Sequence, residues 1–266
     1  MLSIRKDILV FPGRKYGVDL TDTSSLRSAV NKIKPDIIMN LAAISDLDKY
    51  PLATIYDNNA FSIVRILELL NEVSFQGRFI NTSSSLVYNT SNEGVCSEGE
   101  ALKPRHHYSC AKAMADNMFS IMGDELDLLS VRPFNCIGVG QSSRYVVPKI
   151  VKHFKNRDAH MELGSIDNKR DFVDVRDIAR MYEAVCFQRP ENSNVINFCS
   201  GFGTSVRDIV EEMEKLTGHV VRLDISSNLI RPGDDYHSVG DVRYLRDIGF
   251  TPKYKLSDTL SWVLNS

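Results

Sequence analysis

The chain alternates short, continuous apolar runs with longer segments in which apolar residues recur every three or four positions. The apolar runs predict buried strands at 7–11, 36–41, 78–82, 126–131 and 195–198. The periodic segments predict helices at 24–34, 53–71, 108–122 and 174–188. Because these strands show no polar alternation, both of their faces are expected to be covered by helices. The pattern therefore predicts an α/β fold with a doubly wound parallel sheet.

Beyond Arg132 the regular alternation of strand and helix loosens. Ser205 and Asp208 have the spacing of a helix capping box, and this helix is expected to end near Gly218. A further strand is predicted at 220–225. The chain is thus expected to divide into two parts, a sheet-containing core (1–135 plus 172–198) and a smaller lobe (136–171 plus 199–266).

The composition narrows the classes of partner. The net charge of −2 over 266 residues gives no basic surface for nucleic acid or for an anionic membrane. No apolar run approaches membrane-spanning length, and no signal peptide is expected. The five cysteines are scattered without a C-x-x-C pair, which indicates reduced thiols rather than a disulfide framework or a zinc site. We therefore expect a cytoplasmic protein with no metal, no nucleic-acid partner and no membrane contact.

Candidate chemistry lies between residues 81 and 112. The segment Asn81-Thr-Ser-Ser-Ser-Leu-Val-Tyr88 ends a predicted strand in hydroxyl groups, and Tyr108-Ser-Cys-Ala-Lys112 opens the next helix. Tyr108 and Lys112 are four residues apart and share one helical face. Alone, such a pair indicates a packed tyrosine and a solvated lysine, but the hydroxyl-rich strand end about two dozen residues upstream strengthens the signal. Together these segments resemble the Ser-Tyr-Lys centre of the extended short-chain dehydrogenase/reductase family, which acts on nucleotide sugars.

The resemblance implies a role for each of the three residues. Ser84, three positions before Val87-Tyr88, would bond the sugar oxygen at the reacting carbon. Tyr108 would transfer the proton, and Lys112 would hold the nicotinamide ribose. An unperturbed tyrosine has a pKa of about 10 and is a poor base at neutral pH. A nearby lysine cation and the positive ring of an oxidised nicotinamide would favour the phenolate.

Further segments resemble the family's cofactor site. Asn40-Leu-Ala-Ala43 is similar to the turn beside the cofactor pyrophosphate, and Asp19-Leu20 is similar to the adenine-side loop. Asn59 matches an asparagine that supports the active-site strands. Pro133 lies in a turn whose backbone contacts the nicotinamide. The implied cofactor is NADP or NAD, and the implied cofactor-binding residues are Asp19, Leu20, Leu41, Ala42, Ala43, Asn59, Tyr108, Lys112 and Pro133.

Three other segments resemble the family's contacts to a nucleotide-diphosphate sugar. Asn135 in Arg132-Pro-Phe-Asn-Cys-Ile-Gly138 would reach the diphosphate. Arg170 in Lys169-Arg-Asp-Phe172 and Arg231 in Arg231-Pro-Gly-Asp234 would bind phosphate, a bidentate contact that suits arginine. The implied substrate-binding residues are Ser84, Ser85, Asn135, Arg170 and Arg231. The resemblance thus implies a Rossmann-like dinucleotide-binding core (1–135 plus 172–198) and a smaller carboxy-terminal substrate-binding lobe (136–171 plus 199–266).

One departure from the family lies at the amino end. The family opens with a strand, a Gly-x-x-Gly-x-x-Gly turn and a helix that bind the pyrophosphate, and Pro12-Gly13-Arg-Lys-Tyr-Gly17 does not have this spacing. Residues 7–11 and 19–22 instead resemble the family's second strand and adenine-side loop. We therefore expect either a sequence that begins late or weak dinucleotide binding. If residues 7–11 are the family's second strand, they should pair in parallel with 37–41.

A second departure bears on the reaction. The family's 4,6-dehydratases place acidic residues directly after the catalytic hydroxyl, because elimination of water needs its own acid and base. This chain has Ser85 and Leu86 there. Dehydration is therefore disfavoured, and the motifs look most like the GDP-4-keto-6-deoxymannose reductase branch. The expected activity is NAD(P)-dependent reduction of a 4-keto nucleotide sugar. The alternatives are a 4-epimerase, or a truncated and catalytically silent relative that binds nucleotide sugar or a partner.

The sequence leaves open the choice between NADPH and NADH and the oligomeric state. Arg14 or Lys15 would meet a 2′-phosphate and favour NADPH over NADH. The family often forms homodimers through a helix bundle, to which helices 53–71 and 109–122 would contribute by analogy.

Overall fold

Short strands alternate with helices in the computed structural model, which describes residues 17–88, 94–122, 125–191, 193–229 and 237–266 and the backbone of 8–10. The strands are β1 (Ile8–Val10), β2 (Ile37–Asn40), β3 (Arg78–Thr82), β4 (Val95–Cys96), β5 (Asp127–Pro133), β6 (Asn135–Ile137), β7 (His160–Leu163), β8 (Arg170–Asp174), β9 (Val195–Phe198), β10 (Gly203–Thr204), β11 (Arg222–Ile225) and β12 (Val239–Gly240). The helices are α1 (Thr23–Ile33), α2 (Leu52–Tyr56), α3 (Ser62–Glu72), α4 (His107–Met122), α5 (Val146–Asn156), α6 (Val175–Phe187), α7 (Val206–Thr217), α8 (Arg243–Asp247) and α9 (Leu256–Leu264).

The largest sheet has five strands in the order β1-β2-β3-β5-β9. β1, β2, β3 and β5 pair in parallel. Ile8 pairs with Ile37 and Val10 with Met39, which confirms the parallel pairing predicted for this first segment. β2 is buried along its whole length, as a continuous apolar run requires in a sheet covered on both faces. The predicted α/β fold with a parallel sheet is confirmed.

The helices α1, α3 and α4 bury their apolar stripes against this sheet. Helix α1 is capped at its start by Asp22, whose carboxylate accepts the N–H of Ser24 at 2.9 Å, and at its end by Lys34 in the left-handed conformation. The shared core consists of Leu26, Val30, Ile38, Ile63, Ile66, Leu67, Leu69, Leu70, Phe79, Ala115, Phe119, Leu126 and Leu128. Each fully buried side chain of leucine size contributes about 2 kcal/mol.

The chain divides into two units, which are described separately. The first unit contains residues 1–89, 98–133 and 182–197, and the second contains 90–97, 134–181 and 198–266. In the second unit β10, β8 and β6 form a three-stranded sheet, while β11 pairs with β7 and β12 with β4. Helices α5, α7 and α9 supply much of its core through Ile150, Phe154, Ile209, Met213 and Leu260.

The segment 53–71 differs from the single helix that the sequence predicts. A π-helical turn, Asp57–Phe61, interrupts it between α2 and α3. This turn puts Asn59 on the buried side, where its side chain is 1% exposed. A π turn inside a helix frequently marks a functional site. The helix predicted from Ser205 is confirmed, with its capping box and with Gly218 at φ 62° as its cap.

Of the described helices, none has the length and apolar character needed to cross a bilayer.

Candidate active site

The carboxyl end of β3 turns sharply out of the sheet. Ser83 donates its N–H to the carbonyl of Val131 at 2.7 Å, which is the last sheet contact before the turn. Ser84 is extended (φ −164°, ψ 149°), and its Oγ accepts the N–H of Leu86 at 3.2 Å, so that it caps the 3-10 turn Ser85–Val87. Ser84 is 8% exposed and Ser85 is buried. The two hydroxyls predicted to meet substrate therefore lie at the carboxyl edge of the parallel sheet.

Helix α4 carries Tyr108 in its first turn. The turn is capped by His106, whose Nδ1 accepts the N–H of Ser109 at 3.1 Å, while Ser109 Oγ donates to the His106 carbonyl at 2.9 Å. Burial lowers the pKa of His106, with the neighbouring His107 acting in the same direction. The ring of His106 stacks beside that of Tyr108, with centroids 6.1 Å apart. The imidazole thus holds the first turn of α4, and with it Tyr108.

Lys112 connects α4 to the end of β3. Its Nζ donates to the Thr82 carbonyl at 2.6 Å and lies 5.8 Å from the centroid of the Tyr108 ring. The side chain is 1% exposed, so the alternative interpretation of Lys112 as a solvated lysine does not hold. Burial lowers the pKa of Lys112 from 10.5 to about 8, and the charge of Asp116 opposes that shift. A buried ammonium therefore lies next to the tyrosine ring at the strand end.

A buried polar network behind this edge was missed by the sequence reasoning. The Asp116 carboxylate accepts hydrogen bonds from Ser83 Oγ at 2.9 Å, from Ser130 Oγ and from Arg132 Nε at 2.8 Å. Arg132 also donates to the hydroxyl of Tyr88 at 2.8 Å. The sequence could have indicated this network, because Asp116 follows Lys112 by one helical turn and so shares its face of α4.

The loop after β2 is anchored by three asparagines. Asn40 donates its amide to Asn81 at 2.9 Å and accepts the N–H of Ala42 at 3.1 Å. Asn59 clamps Ile44, accepting its N–H at 2.8 Å and donating to its carbonyl at 2.7 Å. The side chains of Ala42 and Ala43 are single methyl groups, so a ligand can approach the backbone closely here. A fixed loop with small side chains fits the dinucleotide that the sequence predicts.

The other predicted cofactor residues occupy defined places in the first unit. Leu41 is 45% exposed on the same loop, and Pro133 is the last residue of β5. Asp19 accepts the N–H and the hydroxyl of Thr21, at 2.9 Å and 2.7 Å, and so closes its own turn before α1. Leu20 lines an apolar cavity with Ile38, Asn40 and residues of α1 and α3.

Two of the predicted diphosphate ligands lie on neighbouring strands of the second unit. Asn135 on β6 donates its amide to the Asp171 carbonyl at 3.0 Å, directly beside Arg170 on β8. Asp171 is fully buried, and its carboxylate accepts the backbone N–H groups of Ser200 and Gly201. Arg231, the third predicted ligand, lies outside the described residues, as do Arg14 and Lys15. Among the residues that are described, no three His, Cys, Asp or Glu side chains converge as a metal site would require.

The parallel sheet with its covering helices is the fold of the extended short-chain dehydrogenases/reductases, a class with NAD-dependent epimerase and dehydratase relatives. Within that class, the family model described as GDP-mannose 4,6 dehydratase matches residues 14–262, and the chain belongs to this family.

Two curated relatives cover most of the chain. GDP-6-deoxy-D-talose 4-dehydrogenase of Aggregatibacter actinomycetemcomitans is 28% identical over 232 residues, which are 87% of this chain and 79% of the relative. GDP-6-deoxy-D-mannose reductase of Pseudomonas aeruginosa is 25% identical over 260 residues, 93% of this chain and 84% of the relative. The chain is therefore similar to two oxidoreductases whose names specify different GDP-6-deoxy sugars.

Two solved structures share the fold. RMD from Pseudomonas aeruginosa complexed with NADPH has a TM-score of 0.82 at 24% identity, over 96% of this chain and 87% of that one. The UDP-glucose 4-epimerase of Thermus thermophilus in complex with NAD has a TM-score of 0.79 at 20% identity, over 93% of this chain and 82% of that one. Both proteins hold a nicotinamide dinucleotide, one NADPH and the other NAD.

Replacing Asn59 tests the anchored loop. Asn59→Ala removes both hydrogen bonds to Ile44, and we expect a loss of about 1–2 kcal/mol in the free energy of unfolding because two partly buried backbone groups lose their partners. NADPH affinity should also fall, since the loop is no longer fixed. Urea unfolding and fluorescence titration measure the two effects. Asn58→Ala is the control, because the Asn58 amide donates to the Thr54 carbonyl of its own helix and not to this loop. Equal affinities in both variants would contradict a role for this loop in cofactor binding.

Proposed function

We propose that this protein is an NAD(P)-dependent nucleotide-sugar oxidoreductase that reduces the 4-keto group of a nucleotide-diphosphate sugar. The observation that carries the proposal is Lys112. A lysine is almost never fully buried unless it is paired, and this one is held between the strand end before Ser84 and the ring of Tyr108. If position 112 served only the stability of the fold, an apolar side chain would be more favourable there than a buried ammonium.

The three residues divide the chemistry between them. Ser84 donates a hydrogen bond to the sugar oxygen at the reacting carbon and steadies the charge that develops there. Tyr108 gives that oxygen its proton, and the Lys112 ammonium stabilises the phenolate that remains. A bound nicotinamide supplies the hydride.

Binding is divided between the two units. In the first unit, the dinucleotide would be held by the turn of Asp19 and Leu20, the loop of Leu41, Ala42 and Ala43, and by Asn59, Tyr108, Lys112 and Pro133. In the second unit, Asn135 and Arg170 would hold the substrate diphosphate, with Arg231 as a further ligand. Arginine suits this task because its planar guanidinium bonds phosphate oxygens in pairs.

The residues after Ser84 favour reduction over dehydration. Eliminating water from a sugar needs an acid and a base in addition to the tyrosine. Ser85 is buried at the start of the 3-10 turn, and Leu86 carries no titratable group. Both curated relatives described above are oxidoreductases by name, one a 4-dehydrogenase and the other a reductase. A 4-epimerase, which the NAD-bound structural relative is, needs the same three residues and is the second candidate.

The stoichiometry of cofactor use separates these candidates. With a GDP-4-keto-6-deoxy sugar we expect one NAD(P)H to be oxidised for each product molecule, as measured by absorbance and chromatography. Conversion of a nucleotide sugar with a 4-hydroxyl group into its carbon-4 epimer, with no net NAD(P)H oxidation, would establish an epimerase instead. If fluorescence titration detects no binding of NADH or NADPH, the proposal is wrong and a catalytically silent relative is established.

We also propose that the protein acts in the cytoplasm as a homodimer formed through α2, α3 and α4. Exposed apolar side chains support such an interface: Leu52 on α2 at 47%, Phe61 on the π turn at 48% and Ile121 on α4 at 80%. Sedimentation of the purified protein at the monomer mass would contradict it.

A further inference from the structure

The buried carboxylate of Asp116 has no role in the proton transfer proposed above, yet it joins the two elements that carry the reacting residues. It is 2% exposed and lies on α4 one turn after Lys112. Through Ser83 Oγ it bonds the residue next to Ser84. Through Ser130 and Arg132 it also bonds β5, the strand beside β3. One side chain thus connects the helix of Tyr108 and Lys112 with the strand end of Ser84.

We propose that Asp116 is a positioning residue that fixes the Ser83–Ser84 turn against α4 and supplies the negative charge that keeps the buried Lys112 ammonium protonated during turnover. This inference rests on the proposed function for its kinetic readout.

The charges around Lys112 explain why Asp116 matters. Arg132 is 3% exposed and shares the Asp116 carboxylate, so this small region buries two cations. Without the carboxylate one of them must lose its charge or its burial. Arginine does not deprotonate in proteins, so Lys112 is the group that discharges. Burial already lowers its pKa to about 8, and Asp116 limits that shift.

Other titratable groups face α4 from the neighbouring elements. On the side of the strands, the hydroxyl of Tyr88 bonds Arg132 and that of Tyr182 bonds Thr82. Glu98 accepts from Arg132 through its backbone carbonyl, and its carboxylate accepts the N–H of Asn197. On the side of α2 and the π turn, Tyr56 bonds His107 at 3.2 Å, and Asp57 is paired with Arg65. The remaining groups on α4 itself are Tyr108 and Cys110. Asp116 is the charge that acts on the pKa of Lys112.

The test is the pH profile of kcat/KM for Asp116→Asn, which keeps the shape and removes the charge. The high-pH limb reports proton loss from the coupled Tyr108–Lys112 pair. With the negative charge gone, protonated Lys112 is less favoured, so the midpoint of that limb should move down by about one pH unit. Asp116→Glu restores the charge and should return the midpoint to the wild-type value. Ser83→Ala keeps the charge but frees the turn, and should lower kcat without moving the limb.

Asp177→Asn is the matched control for lost stability. Asp177 is 1% exposed and accepts hydrogen bonds from Arg180, Lys253 and Tyr254, all in the second unit. Its replacement should destabilise the protein and leave the midpoint of the high-pH limb of kcat/KM unchanged. If Asp116→Asn does not fold, Asp116→Ser, which leaves room for a bridging water, takes its place with the same expected shift.

The pH dependence of NADPH affinity provides a readout that does not need turnover. Because Lys112 is proposed to hold the ribose, the loss of affinity at high pH should move down in Asp116→Asn by the same amount as the kinetic limb. If the wild type binds NADPH without reducing any nucleotide sugar, the proposed function fails while this shift still tests Asp116. An unmoved midpoint in Asp116→Asn, with the wild type active, would overturn the role proposed for Asp116.

Discussion

Tyr108→Phe should lower kcat by about a thousandfold, which is the usual contribution of a positioned general acid. The variant keeps the ring that stacks beside His106, so α4 should remain capped and the fold intact. NADPH affinity should fall far less than kcat, because the variant loses one hydroxyl contact to the dinucleotide and keeps the aromatic ring and Lys112. Steady-state kinetics with a 4-keto nucleotide sugar and fluorescence titration of NADPH measure the two quantities.

Tyr56→Phe is the control for the loss of a neighbouring hydroxyl. Tyr56 lies on α2, and its hydroxyl is 3.2 Å from Nδ1 of His107 at the start of α4. Its replacement should keep kcat within a few-fold of the wild type. Activity in Tyr108→Phe within tenfold of the wild type would mean that another group delivers the proton.

Lys112→Met should abolish turnover and yet stabilise the protein at pH 7. The fall in the pKa of Lys112 from 10.5 to about 8 means that burying this ammonium costs roughly 3 kcal/mol below pH 8. Methionine keeps the apolar stem and removes the charge. The Thr82 carbonyl then loses its partner, at a cost of about 1–2 kcal/mol. A net gain of about 1–2 kcal/mol in the free energy of unfolding remains.

The sign of this gain should depend on pH. Between pH 8 and 10.5 the unfolded wild type binds more protons at this lysine than the folded one, so wild-type stability rises with pH across that window. The advantage of Lys112→Met should therefore shrink above pH 8 and be lost near pH 10. Urea unfolding at several pH values measures this difference in stability. Lys155→Met is the control, because Lys155 of α5 is exposed. A variant less stable than the wild type at pH 7 would show that the ammonium stabilises the fold.

The sequence predicts the sheet well because its strands are continuous apolar runs. β3 and β9 have the predicted bounds, and α4 begins one residue before the predicted start. The strands of the second unit were harder to predict, since β4, β8, β10 and β12 are two to five residues long and pair with distant parts of the chain. Such strands carry no periodicity of their own. The π turn at Asp57–Phe61 was likewise invisible, because nothing in a continuous apolar stripe marks one extra residue.

The candidate site was also predicted only in part. Motif spacing identified Ser84, Tyr108 and Lys112, but it could not indicate that Lys112 is fully buried or that it bonds the Thr82 carbonyl, since both depend on how α4 packs on β3. The Asp116 network was readable in part. Ser130 and Arg132 are polar residues two positions apart in an apolar strand, and so share one face. That face meets α4, where Asp116 supplies the carboxylate.

The most direct test of the proposed reduction follows the hydrogen atom itself. The protein is incubated with a GDP-4-keto-6-deoxy sugar and NADPH that carries deuterium at the transferable position of the nicotinamide. We expect mass spectrometry to find one deuterium at carbon 4 of the sugar for each NADPH oxidised, and none with Tyr108→Phe over the same time. Product without deuterium, or NADPH oxidation without a labelled sugar, would contradict the proposed function.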